Sequence, residues 1–164
     1  MQAHAAPAAD AVDAAITQLR QDLNALPSTR RLTDSDVNAV YALAYREFSQ
    51  ARYDKALERF QLLLVYRPLN TVYMLGAALC LQRQRHYGLA AAAFGALRYL
   101  EPEAPRHILA MAECQLLNHE QAAASETLAE VIDFCDAHTG HDAIRARAQA
   151  MLELMKARHE PVAA

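Results

Sequence analysis

Apolar residues return along this chain at the three-and-four spacing of helices. Val40, Leu43 and Ala44 mark the edge of one helix, and Gln50-Ala51-Arg52 predicts a turn. Beyond it Tyr53, Ala56, Leu57, Phe60, Leu63 and Leu64 form a clean i, i+3, i+4, i+7 stripe. Pro68 then stops the second helix, because it has no N–H to donate and disfavours helix in the residue before it. The whole arrangement recurs. Tyr53 and Tyr87, Ala56 and Ala90, Phe60 and Phe94, Leu63 and Leu97, and Pro68 and Pro102 all stand 34 residues apart. The same step joins Ala44, Ala78 and Ala112, joins Cys80 to Cys114, and carries Ala90 on to Ala124. A third copy fits more loosely, with Gln121 in place of the Tyr, Leu128 in place of the Phe and Asp136 in place of the Pro. A helical pair of this size cannot bury its faces alone, so a fixed period predicts a stack.

A 34-residue helix–turn–helix period resembles the tetratricopeptide repeat, and the expected fold is an all-α superhelix of three such repeats. The copies fall at about 37–70, 71–104 and 105–138. An N-terminal helix of roughly Asp10 to Leu26 precedes them, ended by Pro27, within a helix-and-linker segment of 10–36. Thr33 to Asp36 offers an N-cap with acids in the first turn. After Gly140 a capping helix within 139–158 carries Ile144, Ala148, Met151, Leu152 and Met155 on one side. Residues 1–9 and 159–164 read as disordered tails.

Composition narrows the class. Ala supplies 36 of 164 residues while Gly (4) and Pro (6) are scarce, which favours helix throughout. A net charge of −3, with 16 basic residues spread along the chain, argues against nucleic-acid binding. Three cysteines without close pairing fit a reducing compartment. The first ten residues lack the basic cluster and apolar segment of a signal peptide, and no apolar run approaches the roughly 20 residues of a membrane span. The expectation is a cytoplasmic protein without direct membrane binding.

In a stack of helical pairs the first helices line the concave side. The second, fifth, ninth and twelfth places of each repeat form a stripe there, beside the packing stripe. They are Asn38, Tyr41, Tyr45 and Phe48, then Val72, Leu75, Leu79 and Gln82, then Arg106, Leu109, Glu113 and Leu116. An aromatic and aliphatic surface in that position is a binding-site signal. The tetratricopeptide domains that hold acidic C-terminal tails resemble one another in carrying Lys and Asn at the fifth and ninth places; this chain lacks that carboxylate clamp, so an extended, largely apolar peptide is the better ligand. Tyr41, Tyr45, Phe48, Val72, Leu75, Leu79, Gln82, Leu109 and Glu113 are the candidate peptide-binding residues. In the N-terminal helix Val12, Ile16, Leu19, Leu23 and Leu26 step by four and three, a two-heptad seam with three readings: packing on the first repeat, a homodimer contact, or a helix unstable by itself.

Tyr41-Ala42-Leu43-Ala44-Tyr45 with Phe48, then Tyr53, Ala56 and Phe60, resembles the opening repeat of the class II chaperones of bacterial type III secretion, the LcrH/SycD group. Leu75-Gly76-Ala77-Ala78, and Pro105-Arg106 with Ala112-Glu113-Cys114-Gln115-Leu116, resemble their later repeats, over about residues 30 to 136. The resemblance implies a chaperone that holds hydrophobic translocator proteins before export, with a short extended client segment in the groove and the positions matching Tyr41, Tyr45 and Phe48 lining it. It also implies a homodimer through the N-terminal helix. The degenerate third repeat and Arg98, which stands where the first repeat has Leu64, depart from the pattern. The alternative is a general interaction scaffold or an envelope or pilus assembly factor.

No enzyme is expected, and no cofactor or metal. Cys135, His138, His141 and Asp142 cluster around a turn and read as solvated loop side chains rather than a zinc site. Cys80 and Cys114 hold equivalent repeat places and read as small packing residues. Phosphate-binding glycine motifs are absent, so ATP is not implied. Glu47 interrupts an apolar stripe and receives no role.

Overall fold

A computed structural model describes residues 9–25 and 32–159. The tails expected at either end, apart from the helix-end residues Ala9 and His159, lie outside the described residues, as does Pro27. Among the described residues every regular element is an α-helix: α1 (Ala9–Ala25), α2 (Asp34–Ser49), α3 (Tyr53–Tyr66), α4 (Thr71–Arg83), α5 (Tyr87–Leu100), α6 (Pro105–Leu117), α7 (Gln121–Ala137) and α8 (Asp142–His159). From α2 onward each helix packs against the next, and α2 also touches α4 as α6 touches α8. The result is three antiparallel pairs, α2/α3, α4/α5 and α6/α7, with α8 laid over the end. This is the tetratricopeptide-type, all-α stack that the period predicts.

The helix ends follow from local chemistry. Thr33 caps α2 through a reciprocal pair: the Asp36 N–H donates to Thr33 Oγ1 at 3.2 Å, and the Thr33 N–H donates to Asp36 Oδ2 at 3.0 Å. These contacts hold the Asp36 carboxyl below its ordinary range, the Thr33 side chain contributing most. Asn70 caps α4 by accepting from the Tyr73 N–H at 3.1 Å, and Pro105 opens α6 as its first residue, where a missing N–H costs nothing. The turns inside the pairs are copies of one another. Ala51, Arg85 and His119, spaced at the repeat period, take left-handed φ values of 58°, 64° and 64°. After each, an N–H reaches back to close the preceding helix: Arg52 to the Glu47 carbonyl, His86 to Leu81 and Glu120 to Gln115, all at 2.9 Å. Glycine is the residue that takes this conformation without steric cost, and this chain uses it at none of the three.

The core is built where the repeat demanded it. Ala44, Ala78 and Ala112 from the first helices, and Ala56, Ala90 and Ala124 from the second, are all completely buried. Phe60, Phe94 and Leu128 fill the space that these small residues leave, and Leu63, Leu97 and Val131 complete the layer. Cys80 and Cys114 are fully buried, and burial pushes both thiols up to about 11, so they are protonated packing groups at neutral pH.

Two charged residues on packing stripes acquire partners that the sequence did not announce. Glu47 is 4% exposed and is held by Arg59 across the first pair, 2.6 Å between Nε and Oε2. Arg98 reaches Glu130 on α7 at 2.7 Å and lies over the Tyr99 ring.

Breaking the Glu47 pair from one side leaves a buried carboxylate without compensation. Arg59→Met is therefore expected to cost about 3 kcal/mol in urea denaturation, while the double change with Glu47→Leu restores most of that loss. Ala51→Gly is expected to raise stability by about 0.5–1 kcal/mol, since it relieves a left-handed Ala at the cost of a more flexible unfolded chain.

Candidate functional site

The first helices of the pairs present one continuous concave surface. Its first cleft, about 150 Å³, lies between α2 and α4 and is lined by Tyr41, Tyr45 and Phe48 on one side and Val72, Leu75 and Leu79 on the other. Their exposures differ with their roles in packing. Tyr45 (61%) and Val72 (50%) stand in solvent, while Tyr41, Phe48, Leu75 and Leu79 are half-buried. Tyr41 is fixed edge-on to Phe60 at 6.3 Å between ring centroids and leans on Tyr73 at 5.5 Å; Phe48 is fixed edge-on to Tyr53 at 5.4 Å. Two of the three rings of this wall, Tyr41 and Phe48, are thus anchored before any ligand arrives, while Tyr45 projects into solvent.

The floor of this cleft explains a residue the sequence reading left without a job. Gly76 sits in the middle of α4, where a glycine ordinarily weakens a helix. A Cβ there would come within 2.7 Å of three ring carbons of Phe60. The missing side chain is what lets Phe60 press against the α4 backbone and form the cleft base.

A second cleft, about 350 Å³, continues from the first through the shared residues Leu75 and Leu79. Gln82 from α4, Leu109 and Glu113 from α6, and Ile144 and Arg147 from α8 also line it. Leu109 differs from the expectation of a solvent-facing groove residue: only 6% is exposed, because Ile144 joins the cluster packed around it. Glu113 is paired with Arg147, 2.7 Å between Oε1 and Nη2. Burial pushes the Glu113 carboxyl up, and the Arg147 charge pulls it part of the way back. Alternation in the repeat gave no hint of the α8 contributions, since α8 lies outside the period.

Beneath the second cleft Glu101, at the end of α5, gathers three groups. The Thr71 hydroxyl donates to it, His107 Nε2 lies at 2.7 Å and Arg106 Nη2 at 2.6 Å. His107 is 1% exposed, so this carboxylate is its means of satisfying a buried ring nitrogen. The Thr71 contact, then His107, holds the Glu101 carboxyl below its ordinary value of 4.5.

Of the N-terminal seam, Ile16 is half-buried and Leu19 is 48% exposed; the side chains of Val12, Leu23 and Leu26 lie outside the described residues. His138 stacks on Phe134 at 4.2 Å and its Nδ1 meets the Phe134 carbonyl at 2.9 Å. Among the described residues no group of three or more His, Cys, Asp or Glu side chains is placed to hold a metal ion, and no helix is long and apolar enough to cross a membrane.

No family model matches the chain. Low calcium response locus protein H of Yersinia pestis is 26% identical over 129 residues, 79% of this chain and 77% of that protein. Chaperone protein SicA of Salmonella dublin is 27% identical over 120 residues, 73% of this chain and 70% of that protein. Among solved structures, PcrH in complex with the chaperone binding region of PopD is 27% identical and superimposes with a TM-score of 0.69, covering 80% of this chain and 98% of PcrH. The chain thus resembles the class II chaperones of type III secretion. PcrH, from Pseudomonas aeruginosa, has also been solved with the chaperone binding region of PopB, where the TM-score is 0.65 over 75% of this chain and 99% of that one.

Two outcomes test the geometry. Gly76→Ala is expected to displace the Phe60 ring and cost about 1–3 kcal/mol, and adding Phe60→Leu should recover part of that loss by giving the new methyl room. Glu101 tests the charge cluster. Its pKa is lower in the folded chain, so on acidification the unfolded chain takes up the proton first. The stability it contributes is present above 4.5 and is lost as the pH falls through the lower folded value. The urea midpoint of the wild type should therefore drop more between pH 6 and pH 3.5 than that of Glu101→Gln; equal drops would mean that the cluster carries no such stability.

Proposed function

We propose that this protein is a cytoplasmic chaperone of bacterial type III secretion, which binds hydrophobic translocator proteins through an extended segment laid in its concave groove. The observation that carries the reading is the preformed apolar cleft between α2 and α4, open to solvent at Tyr45 and Val72, in a chain whose relative PcrH is solved with the chaperone binding regions of two proteins. An exposed cleft of this composition is costly to leave uncovered, and it suits a ligand whose own apolar side chains need cover.

Tyr41, Tyr45, Phe48, Val72, Leu75 and Leu79 form the apolar half of the site, and Gln82 and Glu113, over the buried Leu109, the inner half. Successive concave helices lie roughly 10 Å apart, and an extended chain advances about 3.3 Å per residue, so the passage from α2 to α6 accommodates about six residues. Binding is reversible and needs no nucleotide: affinity comes from a few anchors seated in rigid pockets rather than from total area. A translocator segment held this way is kept from aggregating or inserting into a membrane until the secretion machinery takes it over. The relatives named are chaperones, and the side chains of the groove are aromatic, aliphatic and paired charges, a binding surface rather than a set of nucleophile and base.

Self-association belongs to the same proposal. The α1 seam, with Leu19 in solvent, fits a homodimer contact between two copies of the helix, and two heptads are short enough that the repeat surface must help.

Affinity capture with the tagged protein from its native host, followed by mass spectrometry, is expected to recover one or two proteins with long apolar segments. Recovery of polar partners alone would replace the translocator reading with that of a general interaction scaffold. Tyr45→Ala is expected to weaken the captured client's binding by tenfold or more, about 1.4 kcal/mol, with an unchanged helical circular-dichroism spectrum. Leu19→Glu should halve the mass seen by light scattering at micromolar concentration; a monomeric wild type would dispose of the dimer contact directly.

A further inference from the structure

An extended chain crossing the three concave helices meets, at the same place in each repeat, Tyr45, then Leu79, then Glu113. The groove therefore changes chemistry along its length, from an aromatic ring through an aliphatic side chain to a carboxylate. Glu113 is only 21% exposed, and among the described residues the cation paired with it is Arg147, whose side chain is 65% exposed. The other cationic candidates of the cleft are engaged elsewhere: Arg106 and His107 are both directed at Glu101, at 2.6 and 2.7 Å. A peptide laid over this cleft strips the remaining water from Glu113. A carboxylate taken out of water needs further N–H donors, and a second carboxylate beside it is repelled. Gln82, on the same cleft, can supply a neutral amide to either kind of ligand and does not alter this sign.

We propose that Glu113 is a specificity-determining residue of the groove, which takes a client residue rich in N–H donors, lysine or arginine foremost, and turns away aspartate and glutamate at that place. Arg147 of α8 tunes the preference by sharing the charge of Glu113, which makes the C-terminal helix a wall of the binding site as well as a cap. With helices roughly 10 Å apart, the donor residue lies about six positions along the client from the residue that contacts Tyr45. The inference rests on the groove reading given above.

The test uses the full chain and synthetic peptides that span the chaperone binding regions of PopD and PopB, with Lys, Leu and Asp placed in turn at every position and affinity read by fluorescence anisotropy. The expected result is one position where Asp binds about tenfold or more weaker than Lys in the wild type. That ratio should shrink to about two- to threefold in Glu113→Gln and widen in Arg147→Ala, where the carboxylate loses its competing cation. A ratio that is the same in all three proteins, or a preference for Asp, overturns the role of Glu113 while leaving the groove intact. If the parent peptides bind neither the wild type nor the variants, the groove reading fails and this one fails with it.

Discussion

The close approach of helices at alanine is the contact on which the rest of this structure depends. Six alanines, two in each repeat, have no accessible surface at all, and each faces a neighbouring helix at a point where any larger side chain would hold the two apart. The space between them is filled by a single large residue per repeat, Phe60, Phe94 or Leu128. Interiors are packed as densely as organic crystals, so this small-against-large alternation fixes how far apart the helices sit and how each pair rotates on the next. With that rotation repeated three times, the first helices come to share a concave face.

The groove inherits its rigidity from that packing. Phe60 serves the core and the cleft at once: one side packs among the buried alanines, and its ring edge forms the floor beneath Tyr41 and Gly76. A side chain with both duties cannot move to accommodate a ligand without disturbing the stack, which is why the floor of the cleft is preorganised and why binding against it loses little conformational entropy. The exposure of Tyr45 and Val72 is the complement of this arrangement, because they stand where neither helix has a neighbour to bury them.

The ion pairs Glu47–Arg59 and Arg98–Glu130, and the contact of Glu101 with His107, tie one helix to the next. Of these groups Glu47 and His107 are buried and the others half-buried. Desolvating an ion is expensive, so such pairs add register more than stability: a helix that slips by one residue loses its partner and strands a charge. Arg98 shows the point. Its place in the first repeat is held by Leu64, and the substitution is tolerated because Glu130 of the next pair is within reach and Tyr99 shields the guanidinium.

The 34-residue period, the helix type of every repeat element and the shared face of Tyr41, Tyr45, Phe48, Val72, Leu75 and Leu79 were legible in the sequence. Helical spacing and small-residue placement are local properties that one chain segment carries by itself. The burial of Cys80 and Cys114 was legible for the same reason, as was the Thr33 cap. The partners of Glu47 and Arg98, the need for glycine at position 76 and the arrival of Ile144 and Arg147 at the inner end of the groove were not. Each depends on the distance and angle between segments far apart in the chain. The left-handed turns at Ala51, Arg85 and His119 are intermediate: the period placed them, but only the backbone path between two packed helices imposes a conformation that none of those side chains prefers. Sequence alone determined which residues repeat and which face they share. Tertiary structure decided which of them meet, because contact between helices is set by packing distance, and no single segment encodes that distance.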